Sequence, residues 1–372
     1  MNKARRIVLA FGLVSLFGDL VYEGARGIIP SYLKLLGMSS AALGVALGIA
    51  EFIAYASRIF TGYLADRSNR HRLMIFLGYG AIAFLPLLAF VYDRRVAILL
   101  IFLERFGKAL RAPARDAIIG EVSTGMRGKA FGIHEAMDQI GASLGPILVA
   151  TLVMLYGIRE ALLFLFIPFL FIVAALVYAR SLHPEPGISK GPLGFLVRPM
   201  HVAVFFNAAS MMLPFLLLYE VTGVVKLYEV PLIYFYINAV DAITSIIAGK
   251  LYDDLGMVIP FIGFVLSPIP ALIYYYMFSL YFPRYVRAST FIGIVMGLRE
   301  SVYRAMIADT AKASLASEFG AYYTFLGLGM ALGGSAYGYL MIYKHRLPIY
   351  AIVTALLGIA LFLTEVKIGG SQ

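Results

Sequence analysis

Hydrophobic positions along this chain run on for a membrane's width at a time, without the two-residue alternation of a strand, and short polar or Gly/Pro-bearing breaks separate them. A hydrocarbon core takes roughly 20 helical residues to cross. On that measure the first half predicts spanning helices near 7–34, 40–65, 73–92, 96–121, 129–156 and 160–182. A second set of six is predicted near 199–221, 229–252, 257–279, 285–310, 318–343 and 347–366. Continuous apolar runs argue against a transmembrane barrel, and backbone groups in lipid are then satisfied only by helices. The expected fold is an all-α membrane protein of twelve transmembrane helices in two six-helix bundles. The first run holds Asp19, Glu23 and Arg26 and has no small-residue cleavage site, so it reads as a spanning helix and not a secretory signal.

One polar Pro/Gly-rich stretch, HPEPGISKGPLGF, divides the two sets. It places an N-terminal bundle at 1–182, a cytoplasmic linker at 183–198 and a C-terminal bundle at 199–372. The halves repeat. Gly62 and Asp66 recur as Gly249 and Asp253 at an offset of 187, and Phe131-Gly132 as Phe319-Gly320 at 188. Gly141 and Gly145 recur as Gly329 and Gly333 at 188, and Arg115 as Arg304 at 189. Parallel repeats of this kind place a substrate site between the halves near mid-membrane.

Composition agrees with the pattern: 61% of residues are hydrophobic and 14% charged, where soluble domains carry about 25% charge. The net charge of +10 reads as a topology signal, with no nucleic-acid partner implied. With alternating loops and the amino terminus inside, fourteen Lys and Arg fall on the cytoplasmic side and nine outside, which predicts a multi-pass plasma-membrane protein with both termini cytoplasmic. Cysteine is absent, so no disulfide or thiolate metal site is available. No H-E-x-x-H run, P-loop or G-x-S-x-G elbow appears, so an enzyme or an ATP-driven pump has no motif support, and no cofactor or metal is expected.

Charges inside a membrane cost about 2.5–3.5 kcal/mol each and persist where a cavity or a partner offsets that cost. Asp19, Glu23, Arg26 and Pro30 lie on one face of span 1, and Glu104, Lys108, Arg111 and Arg115 form a stripe on span 4, with Arg105 beside it. Span 2 presents Glu51, Tyr55, Arg58 and Gly62, and span 5 presents His134, Asp138, Gly141 and Gly145, with Glu135 on the neighbouring face. These charges read either as a polar cavity for an ionic substrate and protons or as structural ion pairs between helices. Glu104 and Lys108 are spaced to pair with each other at i, i+4. Arg115-Asp116 suits a gating cluster. Asp138 and Glu135 are the favoured proton acids, with His134 one turn from Asp138 as a relay. The second half offers Asn207, Asn238, Asp241, Arg299, Glu300 and Arg304. Arg299 and Glu300 read as interhelical pairs, and Asp241, with no obvious local partner, as the cavity residue. Gly145 and Pro146 read as a small-residue packing face with a proline bend, and the aromatic residues as lipid-facing and core material.

The run Gly62-Tyr63-Leu64-Ala65-Asp66-Arg67-Ser68-Asn69-Arg70-His71-Arg72 resembles the loop 2-3 signature of the major facilitator superfamily, G-x-x-x-D-R-x-x-R-[RK], with His71 at the last basic position. Arg105, Gly107 and Lys108 resemble the family's span 4 signature, and Gly141 to Pro146 the G-x-x-x-G-P element of many antiporters. The stretches DLVYEGARGIIPSYL, ERFGKALRAPARDAIIGEV and FGIHEAMDQIGASLGP resemble a prokaryotic branch of that superfamily. The resemblance implies two bundles rocking around a central site, with Asp66, Arg67 and Arg70 latching the cytoplasmic helix ends in the outward-facing state. It implies a monomeric secondary transporter of a small-molecule substrate, proton-coupled, and an exporter. Lys108 and Arg111 favour an anionic or zwitterionic solute, whereas Asp19, Glu23 and Glu51 suit a cation, so the substrate's sign stays open. An amphipathic-drug or lipid exporter, and a non-transporting receptor or scaffold of the same fold, are the alternatives.

Overall fold

The structure, a computed structural model, describes residues 3–68, 70–123, 127–182, 197–276, 281–312 and 315–369. In the first half the helices are α1 (Lys3–Arg26), α2 (Ile29–Leu35), α3 (Ser40–Ser68), α4 (His71–Gly80), α5 (Phe84–Leu87), α6 (Arg94–Val122), α7 (Arg127–Tyr156), α8 (Ile158–Phe164) and α9 (Phe166–Leu182). In the second they are α10 (Pro199–Ser210), α11 (Pro214–Val221), α12 (Glu229–Leu255), α13 (Val258–Leu266), α14 (Ile269–Tyr276), α15 (Tyr281–Asp309), α16 (Leu315–Leu340) and α17 (Leu347–Gly369). No strand occurs among the described residues, only an isolated bridge between Thr222 and Val225.

Proline marks where expected spans divide. Pro30 sits in the first turn of α2, just past the break after α1, and Pro214 opens α11 after the extended residues Met211 and Leu213. By contrast α6 and α7 run on through Pro113 and Pro146.

Nine helical stretches among the described residues are long and apolar enough to cross a membrane. The three remaining expected spans coincide with α6, α15 and α16. Charged residues disqualify α6 and α15 by that criterion, and Gly, Ser and Tyr dilute the hydropathy of α16.

The chain forms two compact units: Met1–Leu36 with Ser57–Pro192 and Lys226–Leu232, and Gly37–Ala56 with Leu193–Val225 and Ile233–Gln372. The expected linker lies outside the described residues except for its last two positions, Val197 and Arg198.

Inside the first unit α1 packs against α7 and α9; inside the second, α10 packs against α16 and α17 in the equivalent relation. Glycine makes both contacts possible. A Cβ on Gly145 would press into the carbonyl of Leu20 and stand 2.8 Å from the Gly24 nitrogen, and one on Gly141 would meet the carbonyl of Leu16. In the second unit Gly329 meets the carbonyl of Phe205, and a Cβ on Gly333 would stand 2.9 Å from the carbonyl oxygen of Ala209. Leu16 and Leu20 precede Phe205 and Ala209 by the same 189 positions, so the sequence repeat is also a repeat of backbone-to-backbone packing.

Candidate functional site

Close packing of α7 on one side of α1 leaves another side to carry the charges of the first unit. Tyr22, buried between Asp19 and Glu23 in the helical order, is the centre of that side. Arg105 donates a hydrogen bond to its hydroxyl. The Lys108 ammonium lies 4.0 Å from its ring centre, and the guanidinium carbons of Arg105, Arg26 and Arg111 lie at 4.6, 5.7 and 5.9 Å. Sequence reasoning assigned the aromatics to lipid and core and missed this residue. Its signal was its position, one turn before Arg26 on the charged helix.

Acids complete the cluster. Glu23 pairs with Arg26 at 3.6 Å, and Asp19 interacts electrostatically with Asp138, Lys108, Glu23 and Arg111. Glu104 does not pair with Lys108 as its spacing suggested. Its carboxylate, fully buried, takes Arg111 at 3.2 Å and Arg105 at 3.7 Å, while Lys108 turns to Tyr22 and feels Glu23 and Asp19. The reason is reach: Arg111 lies two turns along the same face and also donates to the carbonyl of Gly78 at 3.0 Å, which holds its guanidinium over Glu104.

Towards the amino-terminal end of α1, a second polar group continues the first. Ser15 Oγ lies 2.8 Å from His134 Nε2 and 3.2 Å from the Tyr79 hydroxyl. Arg115 donates to Ser15 at 3.2 Å and to Tyr79 at 3.4 Å, and pairs with Asp116 at 2.9 Å. Asp138 joins the two groups, interacting with both Asp19 and Arg115, and its Oδ1 is buried without a hydrogen-bond partner among the described residues. Glu135 is exposed and accepts a hydrogen bond from Gln139 at 3.3 Å. The structure therefore brings Asp19, Glu23, Arg26, Arg105, Lys108, Arg111, Arg115, Asp116, His134 and Asp138 together and leaves Glu135 on another face.

Near the signature loop, Arg67 donates to the Tyr63 hydroxyl at 2.6 Å and Arg70 precedes α4 as its exposed capping position. Gly62 faces Pro113 of α6 at ordinary contact distance, and Thr61 donates to the carbonyl of Ala109 at 2.6 Å. The side chain of Asp66 lies outside the described residues.

Glu51 belongs to the second unit, where it is buried and where Tyr55, one turn on, stacks on Tyr323 at 5.9 Å. Asp241 has partners there after all: Ser245 donates to it at 3.3 Å and Arg299 interacts with it electrostatically. Arg299 was read as half of an interhelical pair. Its carboxylate contact is with the neighbouring Glu300 at 3.9 Å along the same helix, while its buried guanidinium faces Tyr55, Tyr322 and Asp241. Adjacent residues on a helix diverge by about 100°, so only a long contact joins them.

A third cluster escaped the sequence reading. Arg198, the last residue of the expected linker, is buried against Glu318 at 2.8 Å and Glu365 at 3.0 Å, and donates to the carbonyl of Thr310 at 2.7 Å. His201 Nε2 stands 3.1 Å from Glu318. The signal was its place immediately before Pro199, at the start of a span where two other spans bring acids to their ends.

Charged side chains gathered among apolar spans within repeated helical units mark a polytopic membrane protein. The chain belongs to the Major Facilitator Superfamily, whose family model matches residues 11–334, and it is a transporter rather than an enzyme. An uncharacterized protein of Mycobacterium tuberculosis strain H37Rv is 33% identical over 359 residues, covering 91% of this chain and 87% of the relative. An uncharacterized MFS-type transporter of Methanocaldococcus jannaschii is 27% identical over 365 residues, covering 90% and 88%. Among solved structures, a nucleoside transporter superposes with a TM-score of 0.75 at 13% identity, covering 97% of this chain and 99% of that one. A POT family transporter in complex with 5-aminolevulinic acid gives 0.77 at 13%, covering 98% and 96%. These structures share the fold with this chain.

Proposed function

We propose that this transporter moves a small charged solute by alternating access, exchanging it for protons and exporting it across the plasma membrane, as a monomer with both termini cytoplasmic. The observation that carries the reading is the cluster around Tyr22, where Asp19 and Glu23 stand among Arg26, Lys108 and Arg111 inside one helical unit. Its mixed signs suit a solute that carries both, its anionic group facing Lys108 and Arg26 and its cationic group facing Asp19 and Glu23. Asp138 is the proton-carrying acid, because its unpartnered oxygen is buried while the carboxylate interacts with both Asp19 and Arg115. Gaining or losing a proton there changes the charge balance of both polar groups at once. The Asp66, Arg67 and Arg70 run serves as the conformational latch, and Gly145 and Pro146 as the packing element that favours export.

Proteoliposomes loaded with a pH-sensitive dye test this. Pools of organic anions, cations and zwitterions are added, and substrate-dependent proton movement is compared between wild type and Asp138→Asn, both checked for monodispersity. The expected result is a proton signal for the zwitterion pool that the variant abolishes while retaining substrate binding. Proton movement unchanged in the variant overturns the role of Asp138. A signal confined to uncharged amphipathic compounds overturns the charged-solute reading.

A further inference from the structure

The first unit carries a concave feature apart from the charged cluster. It is a groove of about 300 Å³ whose lining includes Phe11 of α1, Arg72 and Phe76 of α4, Ile118 of α6, and Leu176 and Arg180 of α9. Its chemistry is divided along its length. Arg72 is the second residue of α4 and Arg180 lies two residues from the end of α9, so both cations stand at the same end of the unit. Phe76 and Leu176 lie one turn farther into the spans, where the walls are wholly apolar.

The apolar wall is buried along Phe11, Ile118 and Leu176 and opens outward at Phe76 and Val177. Phe76 is 51% and Val177 60% exposed, and exposed apolar side chains on spanning helices suit contact with lipid. A slot that is apolar at depth, open to lipid and closed by two arginines at helix ends has the polarity of a phospholipid. We propose that it binds an anionic phospholipid, with the headgroup phosphate held between Arg72 and Arg180 and an acyl chain along Phe11, Phe76 and Leu176. A zwitterionic lipid satisfies the apolar wall as well but brings no net charge to the arginines, so the site selects anionic headgroups. None of these residues belongs to the Tyr22 cluster, and the site stands whatever solute the transporter carries.

Native mass spectrometry of the full-length protein, delipidated in detergent and titrated with phosphatidylglycerol or phosphatidylcholine, tests the assignment. Arg72→Gln, Arg180→Gln and the double variant are compared with Arg95→Gln, which removes an exposed arginine at the opposite end of the spans. One phosphatidylglycerol should bind in preference to phosphatidylcholine, weakened about fivefold by each arginine removed and roughly 25-fold by both, with Arg95→Gln unchanged. Arg180 is exposed at a helix end, so Arg180→Gln folds even if replacement of Arg72 does not. Millimolar inorganic phosphate should leave the bound lipid in place. Equal binding of the two lipids, undiminished phosphatidylglycerol binding by the double variant or by Arg180→Gln, or displacement by free phosphate would overturn the proposal.

Discussion

The ammonium of Lys108 lies 4.0 Å from the centre of the Tyr22 ring, on a helix whose neighbouring acid, Glu104, is engaged by Arg111 and Arg105. One aromatic face thus takes the place that a carboxylate was expected to fill. Desolvated cation-π contacts contribute up to about 2 kcal/mol each, and the Tyr22 hydroxyl adds an acceptor for Arg105.

Tyr22 therefore separates into two contributions. Tyr22→Phe keeps the ring and loses the hydrogen bond; Tyr22→Leu loses both. Chemical unfolding in detergent should place the leucine variant about 2 kcal/mol below the phenylalanine variant. Equal stabilities would mean that the ring face attracts none of the surrounding cations.

Glu104 gives a sharper test of which cation it serves. Because its carboxylate is fully buried, Glu104→Gln should cost about 3–5 kcal/mol by leaving Arg111 without its counter-charge. A double-mutant cycle with Arg111→Gln should then show coupling above about 1 kcal/mol, and the cycle with Lys108→Gln close to none. Strong coupling to Lys108 would restore the i, i+4 pairing.

The contrast between Lys108 and Arg111 shows where sequence is legible and where it is not. Helical periodicity puts Glu104, Lys108 and Arg111 on one face, and that was correct. It says nothing of what a neighbouring helix offers. Tyr22 and the Gly78 carbonyl arrive from α1 and α4, and they decide which cation keeps the acid. The same limit hid Arg198, because a charge before a helix start looks solvated until Glu318 and Glu365 come from distant helices. The break between α10 and α11 falls within one apolar run, where Pro214 alone signals it. Repeats were the opposite case: constant offsets of small residues translate directly into backbone contacts, since only glycine permits them.

That makes the glycine contacts predictable in both halves. Gly141→Ala drives a methyl into the carbonyl of Leu16, and Gly329→Ala does the same at Phe205. Neither obstacle is a flexible side-chain end, so helices must part. Each variant should lower the yield of monodisperse protein and its thermal midpoint, whereas Gly132→Ala, which meets nothing within 4 Å, should leave both unchanged or improved. A tolerant Gly141→Ala would mean that α1 and α7 are not in backbone contact.

Arg198 supplies the last prediction, because one cluster contains both a buried and an exposed cation. Its guanidinium holds Glu318 and Glu365 together, with side chains 5%, 0% and 6% exposed. Lys312 also reaches Glu365, at 3.6 Å, but its side chain is 46% exposed. Coulomb attraction between exposed partners is screened by water, while a buried carboxylate that loses its cation has no solvent to turn to. Arg198→Gln should therefore destabilise the protein by about 3–5 kcal/mol. Lys312→Ala should stay within roughly 1 kcal/mol of wild type. Because Lys312 also donates its backbone N–H to Glu318 at 2.9 Å, the alanine variant keeps that link and isolates the ammonium. Unfolding curves of the two variants in the same detergent decide the matter. If the two losses are equal, Arg198 is solvated in the folded protein and the acids of α16 and α17 do not depend on it.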